Sequence, residues 1–238
     1  MSGILIYCEK EAARNAFAVE KFRKELGVEL QYEDYRGGAD YVINRTNDYR
    51  VAEYFEARGV RVFNPSSLTR LANDKQLCYD FMEQNGIEIM PTRYAGAPAV
   101  KKPVNGHGGN GVVMLETPEK FEKGFVYQKP CTDLGKDVRV WVIGGEIITA
   151  ILRESKTDFR SNFCLGGAAT PYSLSEDETA LVKKIISLVE ADYVGIDFVF
   201  NNGHIVFNEI EDTVGARTVY AKTDIDIIKL YCDYIKNG

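Results

Sequence analysis

The sequence is poor in the residues that many metal and hydrolase sites require. Its 238 residues include only two histidines, His107 and His204, which argues against a histidine-based zinc site and against a Ser-His-Asp triad. The five cysteines are scattered, odd in number and never arranged as Cys-x-x-Cys. This pattern favours reduced thiols over disulfides or a zinc site, and it predicts a cytoplasmic protein.

Long basic segments and long apolar segments are also missing. A net charge of −6 and the lack of any Lys/Arg block argue against a nucleic-acid partner. No apolar run approaches membrane-spanning length, and the start Met1-Ser2-Gly3 carries no basic residue, so we expect no membrane partner and no targeting segment. With 45% hydrophobic and 27% charged residues, the composition is typical of a globular protein with a substantial core.

The order of apolar and helical segments predicts a chain in three parts. Residues 1–72 alternate short strands with helices, which indicates a small open α/β layer. Weak boundaries near residues 72 and 132 separate two further parts, 73–132 and 133–238. Arg45 lies just past a predicted strand end in the first part, where it would either bind an acid or be solvated.

Three carboxylates, Asp197, Glu209 and Glu211, lie on two apolar segments that are typical of a β-hairpin. A two-residue loop would send both glutamates to the face opposite Asp197. A three-residue loop with Gly203 left-handed pairs Asp197 with Phe207 and brings all three carboxylates to one face, and we predict this register. Carboxylates on one face repel each other unless a cation lies between them, and oxygen ligands suit Mg²⁺. The alternative is a solvated sheet face.

A glycine-rich segment, residues 106–111, is the second candidate site. Glycines allow successive backbone N–H groups to surround an anion, and Lys102 supplies positive charge just before the segment. No Gly-Lys-Ser/Thr follows, as a Walker A loop requires, and residues 112–115 read as a strand where a Rossmann turn needs a helix. The pattern predicts a glycine flap between two strands, with an ordinary flexible hairpin as the alternative.

Two polar segments complete the set of candidates. Asp137 and Arg139 share a strand face, where they would bind a ribose hydroxyl and a phosphate or form a cross-strand ion pair. Residues 158–162 read Asp-Phe-Arg-Ser-Asn and precede Gly166-Gly167-Ala168. A segment this rich in donors fits the binding of an anion by a planar arginine.

These motifs in this order resemble the ATP-grasp superfamily, specifically its RimK-like carboxylate–amine ligases, over roughly residues 40–236. The matching segments are Asn73-Asp74-Lys75, Lys102-Pro103 with 106–111, Gln128-Lys129-Pro130-Cys131, Asp137-x-Arg139, and 158–162 with 166–168. Asp197 and Glu209 fall at the family's metal acids, whereas Glu211 stands where members usually have asparagine. The resemblance implies an ATP-grasp fold of mixed α/β and α+β character, in which two α+β subdomains behind the N-terminal layer clamp ATP between them.

The resemblance also implies a role for each candidate residue. Mg²⁺, or Mn²⁺ in its stead, would be held by Asp197, Glu209 and Glu211. Catalysis would involve Arg160, Arg139 and Asn162. ATP would be bound by Lys75, Lys102, Gly106, His107, Gly108, Gly109, Gly111, Gln128, Lys129, Cys131 and Asp137.

The implied reaction joins a carboxylate to an amine at the expense of ATP. An acyl-phosphate would form first, and ADP and phosphate would be released as an amide or peptide bond forms. The expected partners are small-molecule carboxylate and amine substrates, such as amino acids or peptides, with a protein substrate left open, and a homo-oligomer is expected. The alternatives are a small-molecule kinase on the same fold and a nucleotide-binding module that acts with a partner protein.

Overall fold

The computed structural model describes residues 2–160 and 168–238, which form three β-sheets and the helices around them. The strands are β1 (Gly3–Tyr7), β2 (Glu29–Tyr32), β3 (Tyr41–Arg45), β4 (Arg61–Phe63), β5 (Ala99–Pro103), β6 (Val113–Leu115), β7 (Phe125–Gln128), β8 (Asp133–Ile143), β9 (Glu146–Glu154), β10 (Ala168–Pro171), β11 (Tyr193–Asn201) and β12 (His204–Glu211). The helices are α1 (Glu9–Arg14), α2 (Ala16–Leu26), α3 (Tyr49–Glu56), α4 (Ser66–Ala72), α5 (Lys75–Gln84), α6 (Glu176–Ser187), α7 (Arg217–Lys222) and α8 (Ile227–Asn237). In these two described ranges, no helix combines the length and apolar character needed to cross a membrane.

The N-terminal sheet has the order β2-β1-β3-β4, and its strands are parallel. All five residues of β1 are buried, as expected for a parallel strand that is covered on both faces. Ile4 and Ile6 pack against α3 on one face, and Leu5 packs in the core that contains α2 and α8 on the other. The sequence prediction of a small open α/β layer is therefore confirmed.

Two antiparallel sheets follow along the chain. The first, in the order β6-β5-β7, carries the glycine-rich segment between β5 and β6, so the predicted flap does connect two strands. The second has the order β10-β9-β8-β11-β12 and carries the three carboxylates on its last two strands. Its apolar face packs against α5 and α6 through residues such as Val140, Ile196, Met82 and Ile185.

Asn64 joins the end of β4 to the strands that carry the carboxylates. Its side-chain amide donates to the carbonyl oxygens of Tyr193 (2.7 Å) and Asp212 (2.6 Å). Its side-chain oxygen accepts from the backbone N–H groups of Asp192 and Tyr193, both at 3.0 Å. All these groups are buried, so Asn64 fixes the start of β11 and the residue after β12 relative to the N-terminal sheet.

Candidate active site

The β11–β12 hairpin sets the geometry of the carboxylates, and its loop differs from the predicted one. The strands close on a two-residue loop, Asn202-Gly203, whose φ angles are 52° and 84°. The predicted three-residue loop and the pairing of Asp197 with Phe207 are therefore wrong. Positive φ at both loop positions is what a type I′ turn requires, and the twist of that turn matches the twist of paired strands.

A β-bulge at Asn208 nevertheless brings the three carboxylates to one face. Phe198 pairs with Phe207, whereas Asp197 pairs with Glu209, so Asn208 is the extra residue on β12. An extra residue shifts the alternation of side chains by one position. Glu209 therefore faces the same side as Asp197, and Glu211 follows it two residues later.

The carboxylate cluster of Asp197, Glu209 and Glu211 is bordered by two arginines. One oxygen from each of the three acids lies within 4.8 Å of the others. Arg139 on β8 donates to both oxygens of Asp197 (2.6 Å each) and to both oxygens of Glu211 (2.5 and 2.7 Å). Arg153 on β9 donates to Asp197 at 2.8 Å. These guanidinium groups offset the repulsion that three close carboxylates would otherwise experience.

The arginines also divide the cluster into acids of different strength. Burial opposes the ionisation of Asp197, but Arg139 and Arg153 outweigh it and lower the pKa of Asp197 to about 2. Burial raises the pKa of Glu211, and the negative charges of Asp197 and Glu209 act in the same direction, against the attraction of Arg139. A divalent cation at this position would favour the ionised form of both groups.

The donor set of the cluster fits Mg²⁺. Magnesium prefers carboxylate oxygens and usually takes only a few of them, with water and phosphate oxygens completing its shell. The three acids supply such oxygens from two adjacent strands, and the side chain of Glu209 is 25% exposed. A carboxylate has about four lone-pair directions, so an ion pair with Arg139 or Arg153 leaves acceptor capacity for a metal.

Lys75 connects the cluster to the glycine flap. Asp74 caps helix α5 through a bond from the backbone N–H of Leu77, so Lys75 is the first residue of the helix. Its ammonium lies 3.1 Å from a Glu209 oxygen and donates to the carbonyl of Gly106 at 2.6 Å. The positively charged side chain of Lys75 therefore lies between a cluster carboxylate and the flap.

Lys102 reaches the same region from β5. Its ammonium donates to the side-chain oxygen of Asn208 at 2.9 Å and lies 3.3 Å from the hydroxyl of Tyr79. Burial lowers the pKa of Lys102 to about 8, although the negative charge of Glu209 acts against that shift. An anion bound beside Lys102 would restore its charged form.

The flap has a backbone that needs glycine. Gly108, Gly109 and Gly111 have φ angles of 62°, 76° and 71°, in the left-handed region that glycine adopts without steric cost. A Cβ atom on Gly111 would also come within 2.9 Å of the Pro103 ring. Arg160 donates to the carbonyl of Gly109 at 3.0 Å, so a second cation contacts the flap.

The segment after β7 forms another wall of the site. Gln128 is buried and donates from its side chain to the carbonyl of Met90 at 3.3 Å. The backbone N–H of Lys129 donates to the carbonyl of Pro91 at 2.8 Å. These bonds hold Gln128, Lys129 and the following Cys131 beside the cleft.

Asp137 is engaged by Arg153, a residue that the sequence analysis did not single out. Arg153 donates to both carboxylate oxygens of Asp137, at 2.6 and 2.8 Å. The two residues are direct partners in the β8–β9 register, as Arg139 and Asp197 are between β8 and β11. The cross-strand ion pairs that the sequence left open as an alternative are therefore present. The β8–β9 register is shifted between Trp141 and Val142, so the spacing from the turn did not identify Arg153 as the partner of Asp137.

One cleft gathers most of the predicted residues. It is lined by Lys75, Lys102, Gly106, Gly108, Gly109, Gln128, Lys129, Cys131, Asp137, Arg160, Asp197 and Glu209. Arg153 and Asn208, which were not predicted, line it as well. Arg139 and Glu211 adjoin it through their bonds to the cluster, whereas His107 and Gly111 belong to the flap without lining the cleft. Asn162 lies outside the described residues.

A scan against protein families and a search of curated proteins agree on the kind of protein that this chain resembles. Residues 65–235 match the model of the RimK-like ATP-grasp domain. A probable alpha-L-glutamate ligase from Maridesulfovibrio salexigens is 28% identical over 214 residues, which cover 79% of this chain and 71% of that protein. A probable alpha-L-glutamate ligase 2 from Hahella chejuensis is 26% identical and covers 97% of this chain and 84% of its own length.

Solved structures show the same fold. The ATP-grasp ligase PsnB, complexed with a minimal precursor, superposes with a TM-score of 0.73 at 16% identity, and the match covers 100% of both chains. A RimK domain ATP-grasp protein from Sphaerobacter thermophilus gives a TM-score of 0.72 at 15% identity over 99% of this chain and 100% of the other. At these identities the likeness establishes the ATP-grasp fold and leaves the substrate open.

Proposed function

Because the chain belongs to the RimK-like ATP-grasp domain family, we propose that its carboxylate cluster and two lysines join L-glutamate to a second amino acid or peptide. The chain is an ATP-dependent carboxylate–amine ligase that uses ATP and Mg²⁺ and acts on small carboxylate and amine substrates. The choice of glutamate rests on the relatives, which are named probable alpha-L-glutamate ligases. The observation that carries the proposed site is the convergence of Asp197, Glu209, Lys75 and Lys102 on one cleft.

In this proposal Asp197, Glu209 and Glu211 hold the metal. When bound, Mg²⁺ supplies neutralisation of the phosphate charge that builds up during phosphoryl transfer. Arg139 contacts both Asp197 and Glu211, so we assign it the task of holding these two acids in position. Mn²⁺ prefers similar oxygen ligands, and we expect it to support turnover in place of Mg²⁺.

Lys75, Lys102 and the flap bind the phosphates of ATP. Both ammonium groups reach the edge of the carboxylate cluster, where they offset phosphate charge. The flap covers the cleft and excludes water, which protects a reactive acyl-phosphate from hydrolysis. Gln128, Lys129 and Cys131 line the wall where we expect the adenine to bind, and Asp137 lies near the expected ribose position.

The reaction then proceeds in two steps. A substrate carboxylate oxygen attacks the γ-phosphorus of ATP, the bond to the β-phosphate oxygen breaks, and ADP leaves. The amine attacks the carbonyl carbon of the acyl-phosphate, an amide forms, and phosphate leaves with the electron pair of the broken bond and takes up the proton that the amine loses. Arg160 stabilises the transferring phosphoryl group, because a planar guanidinium matches phosphate geometry.

The first experiment measures ADP and phosphate release from Mg-ATP with L-glutamate, alone and combined with pooled amino acids and dipeptides, and records product masses. Release that requires two compounds, with a new amide mass, supports the proposal. A phosphorylated product from one compound would point to a kinase instead. ATP binding without release under any of these conditions would favour a module that acts with a partner protein. The control is Asp197→Asn, for which we expect turnover to fall at least about 100-fold.

Two features of the whole protein belong to the same proposal. We expect a homodimer, which is a common state for enzymes of this size, and sedimentation velocity measures the mass of the particle in solution.

We also propose that residues 1–72, 73–132 and 133–238 act as three units, with the middle unit as the lid. Limited proteolysis with and without Mg-ATP tests this division through protection near residues 72 and 132.

A further inference from the structure

Arg45 is a buried cation that the proposed ATP and metal sites do not use. It is the last residue of β3 and is only 7% exposed. One terminal nitrogen donates to the carbonyl of Val214 at 2.6 Å. Its Nε and its other terminal nitrogen have no hydrogen-bond partner of standard geometry among the described residues, although the hydroxyl of Tyr7 lies close enough to interact electrostatically with the guanidinium.

The surroundings of Arg45 do not neutralise it. Within the described ranges, no carboxylate forms an ion pair with Arg45, and the buried acid Asp212 influences it only from a greater distance. The guanidinium lies over the ring of Tyr193, 5.4 Å from its centre, and the hydroxyl of Tyr193 is also buried without a partner. A buried cation without an acid is costly, so three orphaned polar atoms in one region indicate a ligand that completes them.

The topology puts Arg45 where a parallel sheet binds its ligand. Strand β1 lies between β2 and β3, so the chain leaves β1 on one side and returns on the other. Arg45 pairs with Tyr7 at the carboxyl ends of β3 and β1. In open α/β sheets, ligands bind outside the carboxyl ends of the strands at such a switch point.

This position is also next to the proposed catalytic centre. Val214, which accepts the bond from Arg45, follows Glu211 by three residues, so the chain between them spans at most about 11 Å. This upper limit on the separation leaves the Arg45 guanidinium and the cluster close enough to contact the two ends of one small substrate. Two hydrogen bonds from a guanidinium to both oxygens of a carboxylate would lower the nucleophilicity of that carboxylate. The group bound by Arg45 is therefore one that does not react.

We propose that Arg45, together with Tyr193, binds a substrate carboxylate that remains unchanged in the reaction. The planar fork of the guanidinium and the neighbouring hydroxyl match the two oxygens of a carboxylate. This inference rests on the proposed function, because it concerns the substrate of the same ligase. The competing role is a structural one, in which Arg45 only fastens β3 to residues 212–216.

The test compares Arg45→Gln with Arg61→Gln. Arg61 is a matched control, because it lies on the neighbouring strand β4 and bonds to Asp192 at the same interface, at 2.6 Å, but has an acid partner. Steady-state rates are measured with L-glutamate, L-glutamine and the α-amide of L-glutamate. L-Glutamine and the α-amide of L-glutamate each lack one of the two carboxylate charges of L-glutamate.

We expect Arg45→Gln to raise KM for L-glutamate at least about 10-fold, the effect of losing one charge-assisted hydrogen bond. KM for ATP stays within about 2-fold, since the phosphates bind elsewhere. We expect the wild type to have a lower KM for L-glutamate than for the analogue that lacks the carboxylate bound by Arg45. Arg45→Gln should lose this difference in KM, and Arg61→Gln should keep it. An unchanged KM and an unchanged preference in a folded Arg45→Gln protein would overturn the inference and leave the ligase proposal intact.

Two further measurements test the inference if the first comparison fails. If Arg45→Gln does not melt cooperatively, Arg45→Lys keeps the charge but removes the planar fork, and the same rise in KM for L-glutamate is expected. If the wild type shows no turnover with any amino acid, the proposed function fails, and calorimetry with glutarate then tests Arg45 separately. Binding of glutarate that Arg45→Gln abolishes supports a carboxylate site, while equal binding, or none to the wild type, refutes it.

Discussion

The side chains of the cleft are held by opposite charges that also set their proton affinities. Arg139 and Arg153 keep Asp197 ionised, and Arg153 also forms an ion pair with Asp137 on the neighbouring strand. Lys102 has weaker compensation, because its direct partners are the neutral groups of Asn208 and Tyr79. Its pKa is lowered by burial, with the positive charge of Lys75 acting in the same direction, and a phosphate beside it would reverse the shift.

Lys102 should take up a proton when ATP binds in mildly alkaline solution. Its pKa is about 8 in the free protein, so at pH 9 it is mostly neutral, and an adjacent phosphate favours the charged form. Calorimetry at pH 9 in buffers of different ionisation enthalpy measures the protons taken up. We expect Lys102→Met to lose this uptake and to bind ATP at least about 10-fold more weakly. Equal affinity and equal uptake in the variant would remove Lys102 from the phosphate site.

Asp197 should make the fold sensitive to acid. Its pKa falls from 3.8 to about 2 on folding, so the unfolded chain takes up a proton first as the pH drops. The stabilisation is therefore complete above pH 3.8 and is lost as the pH falls towards 2, a change of about 2 kcal/mol. Urea unfolding at pH 5, 4 and 3 measures it, with Asp197→Asn as the control that lacks this titration. Parallel pH profiles for the two proteins would contradict the assignment.

At the scale of elements, two irregular features bring the strands into register. The bulge at Asn208 turns Glu209 and Glu211 to the face of Asp197, although the two-residue loop alone would send them to the other face. Asn64, with a φ of 61°, then fixes the hairpin relative to the N-terminal sheet. Each feature is one residue long, and each affects the geometry of the whole site.

Asn64→Ala should destabilise the protein more than an ordinary asparagine substitution. The change removes four buried hydrogen bonds, and it leaves alanine with a left-handed φ, so we expect a loss of about 3 kcal/mol. Urea denaturation monitored by circular dichroism measures the free energy of unfolding. The matched control is Asn85→Ala, which loses one exposed bond to Phe81 at a helix end and should cost less than about 1 kcal/mol. Similar losses in the two variants would show that Asn64 does not join the sheets.

At the scale of the whole molecule, the cleft is assembled from separate parts of the chain. Lys75 comes from α5, Lys102 from the three-stranded sheet, and the carboxylates from the five-stranded sheet. A ligand that contacts all three parts stabilises them together, because it binds only when they are assembled.

The cytoplasmic location inferred from the scattered cysteines stays a prediction.

Mg-ATP should raise the melting temperature through this assembly. At about 100 times its dissociation constant, a ligand adds about 2.7 kcal/mol to the stability, which corresponds to about 5–10 °C for a chain of this length. Thermal melting with ATP in Mg²⁺ or in EDTA measures the shift, with Asp197→Asn as the control. We expect the shift to shrink in EDTA and in the variant. The same shift under all these conditions would separate nucleotide binding from the carboxylate cluster.

The sequence by itself determined the architecture and predicted most of the polar residues that line the cleft. Apolar periodicity and glycine positions predicted the α/β layer, and the motif order identified the ATP-grasp fold with its two lysines, flap and acids. These signals are local, and local spacing is what a sequence records. The tertiary structure alone decided the bulge at Asn208, the ion pairs of Arg153, and the isolation of Arg45. Each of these depends on which strands become neighbours and in what register, and pairings between distant segments leave no mark in local spacing.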